Sequence, residues 1–176
     1  MPDLLGLCGS LRAASSSAAL MRTLAGRLAP RARLEIADIA ALPHYNADIQ
    51  GDTQVARLIA QIDAADGLIF VTPEYNYSVP GVLKNAIDWA SRPAYQSVFK
   101  GKPALVISVS GGALGGVRAQ GHLKYILGGV LALPHPGQEI VVSHANAKVR
   151  DGRFTDDDTL DFALGEVEAF IASLRG

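Results

Sequence analysis

Three short stretches carry residue types that could bind and orient a ligand. The first, Gly9-Ser10-Leu11-Arg12-Ala13-Ala14-Ser15-Ser16-Ser17, sets four hydroxyls around one arginine. At the start of a helix, such hydroxyls and the free backbone amides beside them make an anion site that the helix dipole reinforces. Arg12 adds a permanent charge whose planar fork fits phosphate oxygens. The lysine of a P-loop and the glycine spacing of a dinucleotide turn are both missing. A serine-rich helix cap beside a solvated arginine has the same composition.

The second stretch is Thr72-Pro73-Glu74-Tyr75-Asn76-Tyr77-Ser78-Val79-Pro80-Gly81. Its two prolines and two tyrosines stiffen a turn into a wall. An aromatic heterocycle fits against such a wall, with Asn76 and backbone groups at its polar edge. A rigid turn whose tyrosines cover the core fits equally. The third stretch, Ser108-Val109-Ser110-Gly111-Gly112-Ala113-Leu114-Gly115-Gly116, has glycines that let a backbone approach a flat ring closely. It also suits a strained strand-to-helix turn.

The elements around these stretches decide whether they meet. Short apolar runs alternate with amphipathic stretches, the pattern of parallel β/α units. Strands are expected at Leu4–Cys8, Arg33–Ile39, Leu68–Thr72, Ala104–Val109 and about Glu139–Val142. Helical spacing marks Leu20, Met21, Leu24 and Leu28, then Val55, Leu58, Ile59 and Ile62. A third helix spans Pro80 through Ala90, with proline allowed in its first turn, and a fourth runs around Val117 to Leu127. The last helix opens with Thr155 and Asp158 as a capping pair, and Asp156, Asp157 and Asp158 complement its positive end. Leu160, Ala163, Leu164, Val167, Phe170, Ile171 and Leu174 give it an apolar stripe.

Strict alternation over 176 residues predicts one α/β domain spanning 1–176. By analogy with doubly wound folds, it is a three-layer sandwich on a five-stranded parallel sheet of order 2-1-3-4-5. Ligands in such sheets bind where the strand order reverses, beyond the carboxyl ends of the strands. For this order, the reversal lies among the turns after strands one, three and four. Those are the three unusual stretches, and the other connections are bland.

Composition narrows the function. A formal net charge of −1 lacks the basic face that nucleic-acid binding needs. No apolar run approaches the roughly 20 residues that span a bilayer. Cys8 stands alone, so no intramolecular disulfide can form, and a reducing compartment fits. Met1-Pro2-Asp3-Leu4 lacks the basic segment and apolar core of a secretory signal, so the expected location is cytoplasmic. His44, His122, His135 and His144 lack metal-ligand spacing. Cys8 reads as a small buried filler, and no Gly-x-Ser-x-Gly elbow surrounds Ser110.

The three stretches together closely resemble the NADPH-dependent FMN reductase family, especially its chromate and quinone reductase branch. The resemblance rests on three motifs. They are Gly-Ser-Leu-Arg with a following serine cluster, Pro73 through Gly81 continued by Leu83-Lys84-Asn85-Ala86-Ile87-Asp88-Trp89, and the Ser-Gly-Gly turn. It implies a flavodoxin-like fold, bound FMN and NADPH or NADH as electron donor. The implied acceptors are quinones, azo compounds, free flavin or oxidised metal ions such as chromate. Ser10, Arg12, Ser15, Ser16 and Ser17 would hold the FMN phosphate. Pro73, Glu74, Tyr75, Asn76 and Tyr77 would border the isoalloxazine ring, and Ser110, Gly111 and Gly112 would close its other side. The family often has asparagine where Ser17 stands, so a weaker or water-mediated phosphate contact is expected there.

No catalytic side chain is expected, because no site stretch contains His, Cys or paired carboxylates. The flavin carries the difficult chemistry, in a ping-pong cycle where nicotinamide delivers hydride and leaves before the acceptor enters. The alternative is a flavin-binding electron carrier without nicotinamide activity. A near-neutral charge argues against it, since such carriers dock through acidic surfaces. The resemblance also implies a homodimer or homotetramer. Val82, Leu83, Ala86, Ile87, Trp89 and Ala90 give the third helix more apolar surface than one sheet-facing stripe requires.

Overall fold

A strand between two others in a sheet covered on both faces must be apolar throughout. β3 (Gly67–Thr72) is buried at every position. β1 (Asp3–Cys8) pairs with it on one side and β4 (Pro103–Val109) on the other, both parallel, with Leu5 opposite Leu68 and Ala104 opposite Leu68. β2 (Arg33–Ile36) adds to the far side of β1, giving the order β2-β1-β3-β4 followed by a fifth position. The structure, a computed structural model, describes residues 1–174.

Alternation along the strands sorts the core into two halves. Leu4, Cys8, Ile69, Val71, Ile107 and Val109 face α1 (Ser16–Leu28) and α5 (Asp157–Ser173). Leu5, Leu7, Leu68, Phe70, Ala104 and Val106 face α2 (Thr53–Ala64), α3 (Gly81–Ala90) and α4 (Val117–Gly129). Six residues of the expected stripe on α5, from Leu160 to Ile171, are buried, and Leu174 packs partly against them.

The fifth position departs from the sequence expectation. Instead of one strand over Glu139–Val142, two short strands share the outer edge of β4. β5 (Leu133–Pro134) pairs with Pro103 and Ala104, and β6 (Ile140–Val142) pairs with Ile107 to Val109. Pro134 and Pro136 lack the amide a continuous ladder needs, so the chain detours between the two strands. The buried amide of Gln120 bridges this gap, donating to the Ile140 carbonyl at 2.9 Å.

Three smaller expectations also change. β2 stops at Ile36 rather than Ile39, because Asp38 accepts from the Ala40 amide at 3.0 Å in a local turn. α3 begins at Gly81, with Pro80 as its extended N-cap. Thr155 does not cap α5; Asp156 occupies the N-cap, and Thr155 instead bonds back to the Lys148 carbonyl at 3.3 Å. Asp157 and Asp158 do fall in the first turn. A 3-10 turn (Ala145–Lys148) and the hairpin β7 (Val149–Arg150) and β8 (Arg153–Phe154) connect β6 to α5.

The apolar surplus of α3 is largely covered within the chain. Leu83, Ala86, Ile87, Trp89 and Ala90 are all buried. The segment after β2 lies across them: the Trp89 indole donates to the Pro43 carbonyl at 2.8 Å, and Tyr45 meets Trp89 edge-on at 5.0 Å. Most of the apolar surplus of α3 is thus covered within the chain, and local periodicity could not reveal the distant segment that covers it.

Asp156 links the hairpin to α5. Its carboxylate lies 2.8 Å from the Lys148 ammonium and accepts from the Thr159 hydroxyl at 2.7 Å. The Lys148 and Thr159 hydrogen bonds hold this carboxyl below its ordinary value. A depressed folded pKa contributes stability that is present above the ordinary carboxylate range and lost as pH falls through the folded value. Asp156→Asn is expected to lower the urea midpoint at neutral pH, with the gap from wild type closing as the pH is lowered. A gap independent of pH would contradict this origin.

Candidate functional site

β1 makes its last ladder bond when the Gly9 amide donates to the Val71 carbonyl at 2.9 Å, and the chain then leaves the sheet edge. A turn closes between the Ser15 amide and the Arg12 carbonyl at 3.1 Å. Ser15 is the N-cap of α1, its hydroxyl oxygen accepting from the Ala18 amide at 3.3 Å. The Ser16 and Ser17 amides follow in the first helical turn, where no intrahelical acceptor exists. They are therefore available to an anion.

These residues line one side of a cleft of about 150 Å³ at the carboxyl edge of the sheet. Ser10, Arg12, Ser15, Ser16 and Ser17 come from the first turn, Pro73, Glu74 and Tyr75 from the second, and Ser110 and Gly111 from the third. Val109 and Asn146 complete the lining. Ser10 and Tyr75 bring their hydroxyl oxygens to 3.5 Å, linking the first two turns. Arg12 is exposed and forms no ion pair among the described residues, so the cleft keeps its positive charge.

Asn76 and Tyr77 lie outside the cleft lining. They form the tip of a tight hairpin turn, both left-handed at φ 48° and 68°, closed by paired backbone bonds between Tyr75 and Ser78. That geometry matches a type I′ turn, which favours asparagine but strains a tyrosine. The Tyr77 ring instead lies under the Arg118 guanidinium, 4.5 Å from its centre.

Glu74 lines the cleft, but its carboxylate is already engaged. It accepts from the Arg118 amide at 3.1 Å, the Ala119 amide at 3.4 Å and the Arg118 guanidinium at 3.1 Å. The N-cap of α4 is Gly116, which has no side chain to satisfy these first-turn amides, so Glu74 caps the helix from across the site. The Ser78 hydroxyl adds a second tie, 3.0 Å from Nδ1 of His122 on α4.

The glycines of the third turn serve the loop itself. A Cβ on Gly111 would lie 2.6 Å from Nδ2 of Asn146, so glycine is needed for that side chain to enter. Gly112 is not part of the lining; its amide donates to the Ser110 hydroxyl at 3.1 Å. Gly115 and Gly116 take left-handed conformations at φ 60° and 83°.

Asn146 is the lining residue that the sequence did not disclose. It sits in an unremarkable connection after β6, and only the pairing of β6 with β4 brings that connection beside the Ser110 turn. Cys8, at the end of β1, is a buried free thiol. Burial pushes its pKa up, outweighing a backbone hydrogen bond at Ser10 and the Arg22 charge, so it stays protonated and unreactive at neutral pH. Of the four larger grooves, those of about 540 and 470 Å³ lie against the side of α1 and between α2 and α3, away from these turns. One of about 380 Å³ adjoins the cleft at Gly9, Arg12 and Tyr75.

Removing the Glu74 carboxylate leaves first-turn amides of α4 and Arg118 without their partner. Glu74→Ala is expected to cost about 1–3 kcal/mol, measured from denaturant unfolding. Glu74→Gln, which keeps the acceptor oxygen, should lose less. Equal losses for the two variants would contradict the capping role.

The sequence pattern of the NADPH-dependent FMN reductase family matches residues 2–147. An NAD(P)H-dependent FMN reductase of Pseudomonas aeruginosa is 42% identical over 179 residues, covering 98% of this chain and 96% of that protein. A quinone reductase of Escherichia coli K12 is 43% identical over 173 residues, covering 93% of this chain and 90% of that protein. Among solved structures, FerB, a flavoenzyme NAD(P)H:(acceptor) oxidoreductase from Paracoccus denitrificans, superposes with a TM-score of 0.90. It is 39% identical, and the match covers 99% of this chain and 98% of FerB. The chain belongs to the NADPH-dependent FMN reductase family.

Proposed function

We propose that this chain binds FMN in the cleft and carries electrons from NADPH or NADH to small-molecule acceptors, with quinones foremost. The observation that carries the proposal is the junction of two unlike surfaces. Free helix amides and an unpaired arginine meet a proline- and tyrosine-lined wall at the switch point of a parallel sheet. A phosphate on a flat heterocycle fits both ends. Residues 1–176 act together as one FMN-binding unit.

The cleft of about 150 Å³ would take the phosphate and polar tail, with the flat ring bordered by the partly exposed Tyr75. The Ser16 and Ser17 amides and Arg12 fix the phosphate. Ser17 is buried and among the lining residues, so its hydroxyl would donate directly in this arrangement. Pro73 and Tyr75 orient the ring, while Glu74 acts indirectly by tying the wall to α4. When bound, FMN supplies two-electron acceptance and return. The chain's own part is orientation and a rim open to nicotinamide and acceptor in turn. Relatives named for quinone reduction make quinones the leading acceptor class, with azo compounds, free flavin and chromate as further members. Cytoplasm, where reduced nicotinamides are made, is the proposed location.

The direct test is the visible spectrum of FMN-reconstituted protein, recorded anaerobically before and after NADPH. A protein-bound flavin band that bleaches is expected, with parallel initial-velocity lines in turnover. A bound flavin that stays oxidised with both nicotinamides would favour the electron-carrier alternative. In the same titration Arg12→Ala should weaken FMN binding by about 1.5–3 kcal/mol, the worth of a charge-assisted contact. Unchanged affinity would remove Arg12 from the phosphate site.

Self-association is proposed on a different surface from α3. Tyr77, Tyr125 and Leu133 are exposed by 68%, 86% and 57%, a pattern that suits contact with a second copy near α4. Light scattering at micromolar concentration should give a dimer or tetramer, which Tyr125→Glu reduces. A monomeric wild-type mass would end this proposal.

A further inference from the structure

We propose that Asn146 is a ligand for the phosphate end of the bound cofactor, and that its uncharged amide makes the site prefer a phosphorylated flavin. This role rests on the flavin site proposed above and adds a contact from the connection after β6.

Backbone bonds place Asn146 with little freedom. The Ser110 amide donates to the Val142 carbonyl at 2.9 Å, the His144 amide to the Gly112 carbonyl at 3.2 Å, and the Ala145 amide to the Ser110 carbonyl at 2.9 Å. These bonds fasten the 3-10 turn to the third site turn. Gly111 then admits the Asn146 side chain, which crosses to the first turn, where Oδ1 accepts from the Ser16 hydroxyl at 3.1 Å. Ser16 is the first residue of α1, in the serine cluster beside the unsatisfied helix amides.

The contact uses the acceptor end of the amide and leaves its donor end. Nδ2 has no hydrogen-bond acceptor among the described residues, and Asn146 lines the cleft with Arg12 and the serines. A neutral group with two unspent N–H bonds beside an anion site is suited to donate to phosphate oxygens. Aspartate has nearly the same shape but only acceptor oxygens when ionised. At this position it would set a negative charge beside the phosphate.

FMN and riboflavin differ only in the phosphate, so comparing them isolates the contact. Binding of each is measured by quenching of flavin fluorescence with wild type, Asn146→Ala and Asn146→Asp, with a melting curve of each apo-variant as a folding control. Asn146→Asp is expected to raise the FMN dissociation constant about tenfold or more, with riboflavin within about twofold of wild type. Asn146→Ala should fall between. Equal losses for the two flavins, or no loss of FMN, would overturn the proposal. The same proteins are also melted with inorganic phosphate. A wild-type melting temperature that rises with phosphate, with the rise lost in Asn146→Asp, is expected even if neither flavin binds; that combination would sink the flavin reading and leave the anion contact standing. Absence of any phosphate response in wild type, with no flavin bound, would overturn both.

Discussion

Parallel pairing of β1, β3 and β4 is the constraint from which the site follows. All three strands run in one direction, so the turns that leave them emerge on one edge of the sheet. Each return path must then cross a face of the sheet, which is why helices cover both sides and why β3 is buried at every position. The crossover from β1 goes through α1 on one face, and those from β3 and β4 go through α3 and α4 on the other. The chain thus parts at the carboxyl edge between β1 and β3, and the crevice left there becomes the cleft.

The wall of that crevice is held by contacts from outside itself. The turn from Tyr75 to Ser78 contains a left-handed tyrosine, a conformation that costs on the order of 1 kcal/mol for a residue of this type. Three contacts with α4 secure the wall: Glu74 at the helix start, Arg118 over Tyr77, and His122 against Ser78. In return, α4 receives the cap that Gly116 cannot supply. Wall and helix are mutually dependent, and the third site turn lies between them, so ligand contacts on either side share one support.

The chemistry of the lining matches this division of labour. The single carboxylate of the cleft is engaged by a helix start and an arginine, and the thiol beneath it is buried and protonated. What remains free is a set of donors: helix amides, hydroxyls, Arg12 and the Asn146 amide. Donors without a proton-transfer partner bind and orient an anionic cofactor, leaving the redox chemistry to it.

The sequence by itself determined the alternation of strands and helices, and the motifs identified the three turns that meet. Both are local properties: a buried strand shows as an apolar run such as Leu68 to Val71, and a helix start shows as Ser15 before its apolar stripe. Where the sequence misled, a distant segment intervened. Trp89 looked free until the Pro43 segment covered it, and nothing local showed that the Glu74 carboxylate caps α4. The fifth sheet position split because two prolines deprive the edge of donors, and Gln120 bridges the gap from another element. Asn146 shows the same limit at the site. Its place beside Ser16 depends on the pairing of β6 with β4, a long-range hydrogen-bond register that no local spacing of residues encodes.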